Sequence, residues 1–253
     1  KHPATLQLGG SRRRISVLFS DIMGFTSIAE KMPPEEVTLI LNEYLDAMAQ
    51  VVLSENGTLD KFEGDAVMAF FGAPLPQEDH ARRACEVALK MRRALSTLHE
   101  QWNREGKPLL DFCVGISTGD AVVGNLGSRE RFDYTVIGDT VNLGSRLQNV
   151  NRLYGTRVLV EEQTMLAAKS FYTFRKVDRV RVKGKENAVS MYELLTSEQG
   201  SVGGKVEFLH DYELGMQLYE KRRFDEAKQY FEAAFKEAPR DSLTQIFIHR
   251  CDY

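Results

Sequence analysis

Two aspartates have the residue type and the placement to form a metal site. Asp21 follows the β-rich run 14–20 (RISVLFS), and Asp65 lies in a Gly-Asp turn between two short strand patterns. If the two strands are neighbours, both carboxylates meet at one edge of a sheet. Such a pair suits Mg²⁺ or Mn²⁺, which keep several waters and accept substrate phosphate oxygens. Two metals held there could activate a hydroxyl and stabilise a departing phosphate, whereas either aspartate alone is more often an ordinary turn residue.

Several nearby residues could hold phosphate or nucleotide. The turn 24–26 (GFT) follows Asp21 and precedes a helix, where free backbone N–H groups can bind an anion. Asn142 and Arg146 are four residues apart, so they share one helical face, and an arginine there could grip a phosphate with two hydrogen bonds. Lys61 and the basic run 183–185 (KGK) carry further positive charge. Taken singly, each of these residues is more simply explained as a solvated surface group.

The strand and helix patterns that must position these residues are typical of an α+β domain. The strand patterns cover residues 14–20, 58–63, 66–71, 110–118, 121–126 and 132–137. The main helical patterns begin at the Pro-Pro-Glu-Glu sequence 33–36, near residue 79 and near residue 139, and smaller signals fill 157–195. This order predicts a mainly antiparallel sheet with two helices covering one face.

The last part of the chain changes character. Residues 199–204 (QGSVGG) resemble a linker, and only helical patterns follow them. Seven residues have the spacing of one tetratricopeptide unit, which is a helical hairpin: Leu214, Gly215, Leu218, Ala227, Phe231, Ala234 and Pro239. One unit cannot bury its apolar face alone. We therefore expect this small hairpin to dock on the main domain, on a partner or on residues 241–253, although an ordinary amphipathic helix pair also explains the pattern.

Composition excludes several classes of protein. The 253 residues include 33 Lys+Arg and 36 Asp+Glu, which gives a net charge of -3. This charge disfavours a protein that coats nucleic acid without sequence preference, because phosphate binding needs an excess of positive charge. No apolar run approaches the ~20 residues that span a bilayer, and the first residues lack the apolar core of a signal peptide. The scattered histidines suggest no metal site or catalytic triad, and Gly-x-Ser-x-Gly and P-loop signatures are absent. Three widely spaced cysteines, without Cys-x-x-Cys, favour a reducing cytoplasm over disulfides or zinc.

Three long motifs in order resemble the catalytic domain of the class III nucleotide cyclases. They are residues 19–26 (FSDIMGFT), 60–72 (DKFEGDAVMAFFG) and 134–146 (YTVIGDTVNLGSR), and the likeness runs from about Arg12 to Leu195. The resemblance implies a ferredoxin-like βαββαβ core with added strands. We therefore expect a linker from an upstream region at 1–11, the cyclase domain at 12–196, a linker at 197–204 and the helical tail at 205–253.

The resemblance also implies which residues bind metal and phosphate. Asp21, Asp65 and the backbone of Ile22 would hold two Mg²⁺ or Mn²⁺ ions per site. Backbone groups around Phe25 and Thr26 would touch metal or phosphate. Lys183 would hold the terminal phosphates, with Arg157 as a further contact.

The resemblance further implies which residues bind the nucleoside and the reacting phosphate. The resemblance implies a homodimer with shared sites, in which Lys61 and Thr135 come from the opposite subunit and read adenine, assisted by the Val136 backbone. Asn142 would orient the ribose, and Arg146 would stabilise the charge that develops on the α-phosphate. Every position that can be matched carries a functional residue type.

These roles predict an adenylate cyclase that converts ATP to 3′,5′-cyclic AMP and pyrophosphate for signal transduction. Two alternatives stay open. A guanylate cyclase would use the same fold, and a non-catalytic regulatory module would use the helical tail. The chain begins without Met, so we expect an upstream sensor, and we expect no membrane insertion of this segment itself.

Overall fold

One sheet organises the chain. The computed structural model describes residues 8–181, 188–197 and 206–252. Within them the strands are β1 (Gly9–Ile22), β2 (Thr58–Glu63), β3 (Ala66–Phe71), β4 (Phe112–Gly127), β5 (Phe132–Ile137), β6 (Val158–Glu161), β7 (Tyr172–Val180) and β8 (Val189–Ser197). These eight strands form a sheet of order β2-β3-β1-β4-β6-β8-β7, with β5 paired to β4. The helices are α1 (Phe25–Ala29), α2 (Pro34–Ser54), α3 (His80–Glu105), α4 (Asp139–Tyr154), α5 (Glu162–Ala168), α6 (Val206–Glu220), α7 (Phe224–Glu237) and α8 (Ser242–Arg250).

The predicted α+β fold is confirmed, with α2 and α3 on one face of the sheet. The buried residues of α2 recur every four positions, at Ile40, Tyr44, Met48 and Val52, so one helical stripe faces the core. The Nε1–H of Trp102 on α3 donates to Glu43 Oε2 on α2 at 2.6 Å. The fully buried indole thus has its polar group satisfied, and the two helices are fixed side by side.

Helix α4 lies on the opposite face, unusually close to the sheet. A Cβ added at Gly115 of β4 would stand 2.2 Å from both Gln148 N and Gly144 O, so only glycine fits between strand and helix. The Asn151 side chain donates to the Val114 carbonyl at 2.8 Å and ties the helix to the strand. The position of α4 is therefore set by backbone contact.

Two strands differ from the sequence prediction. Strand β1 begins at Gly9, inside the segment expected as a linker, because its first half pairs with the second half of β4. Residues 110–118 and 121–126 were expected as two strands, but β4 runs unbroken from Phe112 to Gly127. The strand is unbroken because β1 pairs with it throughout, with Ile15 opposite Gly119 and Arg14 opposite Asp120.

The C-terminal segment contains three helices where a two-helix hairpin was expected. Helix α8 starts at Ser242, where the Asp241 carboxylate caps its N-terminus by accepting from Thr244 N at 2.9 Å. Its buried Phe247 stacks on Phe231 of α7. Apart from Ser197 in β8, the predicted linker 197–204 lies outside the described residues.

The three C-terminal helices pack on the sheet and on α4. Leu143 and Leu147 of α4 share an apolar cluster with Tyr212 of α6. Beside it, the side chain of Arg175 on β7 is only 5% exposed and donates to Glu193 at 2.7 Å and to both Asp241 oxygens at 2.8 and 2.7 Å. This buried ion cluster joins the loop before α8 to the sheet.

All three cysteines are free, and two of them, Cys85 and Cys113, are buried. Within the described ranges, none of the helices combines the length and the apolarity needed to cross a bilayer.

Replacing Arg175 tests how strongly the C-terminal helices are tied to the sheet. Arg175→Met leaves two buried carboxylates without their cation. We therefore expect urea titrations to give a free energy of unfolding about 3–5 kcal/mol lower than that of the parent. The control is Arg223→Met, which breaks an exposed ion pair with Glu226 and should change stability by less than about 1 kcal/mol. Equal effects of the two variants would contradict this role of Arg175.

Candidate active site

The structure brings Asp21 and Asp65 together at one edge of the sheet. Strands β1 and β3 are antiparallel neighbours, and Ser20 lies opposite Val67, so the end of β1 meets the turn before β3. Burial raises the pKa of Asp21 to about 6, and the hydrogen bond and negative charge of Asp65 add to that rise. Two carboxylates in contact repel each other at neutral pH, and a divalent cation relieves that repulsion.

Within the described residues no group of three or more His, Cys, Asp or Glu side chains could hold a metal ion. The site therefore supplies two carboxylates, and water, backbone or substrate oxygens must complete any coordination. That donor set fits Mg²⁺ or Mn²⁺ and does not fit a structural zinc site.

Two residues of α4 that sequence reasoning missed bind Asp21. Arg152 donates to Asp21 Oδ2 at 2.7 Å and lies 3.4 Å from the Ile22 carbonyl, while Gln148 donates to the same Oδ2 at 3.3 Å. The available signal was the four-residue spacing of Gln148 and Arg152, which puts them on one helical face. Without metal, the Arg152 guanidinium opposes the rise in the pKa of Asp21.

Asn142 and Arg146 lie farther along α4. Asn142 precedes Arg152 by ten residues, which is roughly 15 Å of helix, and is exposed in the first turn. One guanidinium nitrogen of Arg146, Nη1, is buried and has no hydrogen-bond partner in the described part of the chain. Among these residues, no hydrogen bond or ion pair joins Asn142 or Arg146 to the two carboxylates. Within the described part of one chain, the two groups of predicted site residues are thus not joined by a hydrogen bond or an ion pair.

Lys61 and Thr135 come together through a third residue, Asp60. Thr135 Oγ1 donates to Asp60 Oδ2 at 2.5 Å, and Lys61 Nζ lies 3.7 Å from Asp60 Oδ1. The register of β2 against β3 shifts between Leu59 and Lys61, and such a bulge re-aims side chains. Sequence reasoning missed Asp60 because simple strand alternation does not reveal the bulge. The next residue of β5, Val136, is buried and pairs with β4.

The remaining predicted residues surround the end of β1. Phe25 and Thr26 begin α1 just after Gly24, whose φ of 70° lies in the left-handed region. Arg157 forms an ion pair with Asp111 at 2.7 Å, and the Asp111 carbonyl, just before β4, accepts from Met23 N, just after β1, at 2.7 Å. Lys183 lies outside the described residues.

Comparison with known families identifies this architecture. A sequence model of the adenylate and guanylate cyclase catalytic domain matches residues 10–196. The chain belongs to the class III nucleotide cyclase family. It is 37% identical to the adenylyl cyclase CyaB of P. aeruginosa, whose crystal structure it matches with a TM-score of 0.70 over 76% of this chain and 98% of that one. The guanylyl cyclase Cya2 is 36% identical, with a TM-score of 0.69 over 77% of this chain and 98% of that one.

Curated relatives of this cyclase domain are longer proteins. It is 39% identical to adenylate cyclase 1 of Rhizobium meliloti over 184 residues, which are 73% of this chain and 28% of that protein. The terminal-differentiation-specific adenylate cyclase of Dictyostelium discoideum is 36% identical over 94% of this chain, so the similarity extends into the C-terminal helices. The chain spans only 11% of that relative.

The raised pKa of Asp21 predicts how the stability of the metal-free cyclase domain depends on pH. Between pH 3.8 and about 6 the folded protein keeps a proton that the unfolded chain releases, so its stability should fall as pH rises through this window. Asp21→Asn removes the titrating group. The side chain of Asp21 is 21% exposed, so solvent screens part of the effect. We therefore expect the free energy of unfolding of the variant to exceed that of the parent by only about 1–2 kcal/mol above pH 6.

Thermal unfolding in a chelator at several pH values measures this difference. Asp46→Asn, which changes an exposed carboxylate on α2, should follow the parent curve. Added Mn²⁺ should raise the melting temperature of the parent and have little effect on Asp21→Asn. An Asp21→Asn curve as steep as that of the parent would show that the two carboxylates are not coupled.

Proposed function

We propose that the chain is the catalytic region of an adenylate cyclase, which converts ATP to 3′,5′-cyclic AMP and pyrophosphate. Family membership supports cyclase chemistry, and the adenylate cyclases among its relatives support ATP as substrate. The observation that carries the choice of base is the pairing of Lys61 and Thr135 at Asp60. A lysine donor suits the N1 acceptor of adenine.

Asp21 and Asp65 are the proposed metal ligands, with the Ile22 carbonyl as a third oxygen. Their contact supports this assignment, because neighbouring carboxylates need a cation to stay ionised. We propose two Mg²⁺ or Mn²⁺ ions per site. When bound, such ions lower the pKa of a coordinated hydroxyl and stabilise phosphate oxygens. Arg152 must then leave Asp21, since its guanidinium occupies Oδ2 in the metal-free protein.

Arg146 and Asn142 are proposed to act on the substrate held by the opposite subunit of a homodimer. Their separation from Asp21 along α4 supports this arrangement. The buried, unpaired Nη1 of Arg146 supports a role toward a phosphate, because a guanidinium nitrogen without a partner is costly until an anion reaches it. Asn142, which is exposed at the start of α4, is proposed to hydrogen-bond the ribose.

The proposed reaction needs positioning more than acid–base side chains. The ribose 3′-oxygen must attack the α-phosphorus in line with the departing pyrophosphate, so Asn142 contributes by holding the sugar and Arg146 by meeting the charge that develops. The backbone at Phe25 and Thr26, together with Arg157 and Lys183, is proposed to bind the other phosphates. No histidine is needed in this scheme.

The C-terminal helices are proposed to form one tetratricopeptide-like unit completed by α8. Gly215 of α6 lies against Phe231 of α7, where an added Cβ would be 2.8 Å from the ring, and Ala227 and Ala234 of α7 are buried. We place the catalytic region in the cytoplasm, which suits three free cysteines, downstream of a sensor.

A guanylate cyclase is the second candidate, because the guanylyl cyclase Cya2 and the adenylyl cyclase CyaB resemble this chain almost equally. Product analysis with ATP and with GTP, each in Mg²⁺ and in Mn²⁺, decides between them. We expect cyclic AMP and pyrophosphate from ATP, and a kcat/KM for GTP at least about tenfold lower, because guanine mismatches the polar groups of the pocket.

An Asp65→Ala variant shows whether turnover belongs to the proposed site. We expect it to stay folded and to lose on the order of a hundredfold or more in kcat, since the metal position is lost. Asp46→Ala, in an exposed carboxylate of α2, should retain the parent rate. Cyclic GMP as the main product, or a folded Asp65→Ala protein with full activity, would overturn the proposal.

A further inference from the structure

The Thr135 hydroxyl has its direction set by a buried carboxylate. Its oxygen lies 2.5 Å from Asp60 Oδ2, the side chain of Asp60 is fully buried, and Thr135 itself is 8% exposed. A carboxylate only accepts hydrogen bonds, so the hydroxyl proton must point at Asp60. The Thr135 hydroxyl can then act toward any other group only as a hydrogen-bond acceptor.

We propose that Asp60 is a positioning residue for base selection, which fixes the Thr135 hydroxyl as an acceptor next to the Lys61 donor. This inference rests on the proposed function, in which Lys61 and Thr135 face the base. Asp60 itself touches no substrate in this scheme. A hydroxyl can both donate and accept a hydrogen bond, and the contact with Asp60 leaves Thr135 able only to accept one from the base.

The resulting pair matches adenine and mismatches guanine. Adenine presents a donating 6-amino group beside its accepting N1, and guanine presents an accepting O6 beside a donating N1–H. With Thr135 accepting and Lys61 donating, both contacts to adenine are satisfied and both to guanine are opposed. A free threonine hydroxyl would rotate and donate to O6, so it would not by itself exclude guanine.

The groups around Asp60 act on its carboxyl in both directions. Burial, the largest influence, and the negative charge of Asp133 raise the pKa of Asp60, whereas the hydrogen bond from Thr135 and the positive charge of Lys61 lower it. Oδ1 accepts no hydrogen bond in the described part of the chain, and Lys61 Nζ is near it at 3.7 Å. The ammonium group is therefore kept close to Asp60 and remains free to donate to a ligand.

A double-mutant cycle on the full 253-residue chain tests the inference. The variants are Asp60→Ala, Thr135→Val and the pair, with kcat and KM measured for both ATP and GTP. We expect Asp60→Ala to lower the ratio of kcat/KM for ATP to that for GTP by about tenfold, the size of one lost or mismatched hydrogen bond. In the Thr135→Val background the same change should leave the ratio unaltered, because no hydroxyl remains to be oriented.

Two further variants separate orientation from charge and from folding. Asp133→Asn removes an exposed negative charge two residues from Thr135 and should leave the ATP to GTP ratio unchanged. Asp60→Asn preserves shape, so it keeps the fold if Asp60→Ala does not. It should still lower the ratio, because an amide can donate to the hydroxyl as well as accept from it.

The outcomes distinguish this inference from the proposed function. If the parent chain makes no cyclic AMP, or does not prefer ATP, the proposed function fails first. If the parent prefers ATP but folded Asp60 variants slow both nucleotides equally, Asp60 is only structural and the inference is overturned. An equal drop in the ratio with and without the Thr135 hydroxyl would also overturn it.

Discussion

The close approach of α4 to β4 is the constraint on which the rest of the site depends. Glycine at 115 lets the backbone of the helix rest on the strand, and no side chain fits between them. This contact fixes the height of α4 above Asp21, so that Gln148 and Arg152 donate hydrogen bonds to the carboxylate. A larger residue at 115 would move every functional group on the helix together.

In two clusters, one side chain sets the charge state or the hydrogen-bonding direction of its neighbour. Arg152 neutralises Asp21 while no cation is present, so the site can fold with two adjacent carboxylates. Asp60 gives the Thr135 hydroxyl one polarity. In both cases the partner carries no chemistry itself, and its role is visible only from the contact.

The sequence predicted the parts of the site that have local signals. The Gly-Asp turn, the strand before Asp21 and the helical face of Asn142 and Arg146 all follow from short patterns, and the fold class follows from their order. Arg152 and Asp60 were missed because their partners lie 131 and 75 residues away along the chain. The unbroken β4 was missed for a related reason, since its continuity comes from pairing with β1, about 100 residues earlier in the chain.

Each active site is proposed to be assembled from two chains, and mixing two inactive variants tests this claim most directly. Asp21→Ala lacks one of the proposed metal ligands, and Arg146→Ala lacks the proposed transition-state cation. In a mixed dimer, one site should collect both lesions and the other neither. When half of the dimers are mixed, about a quarter of the parental activity should return. No activity in proven mixed dimers would mean that each site is built within one chain, and the claim would be wrong.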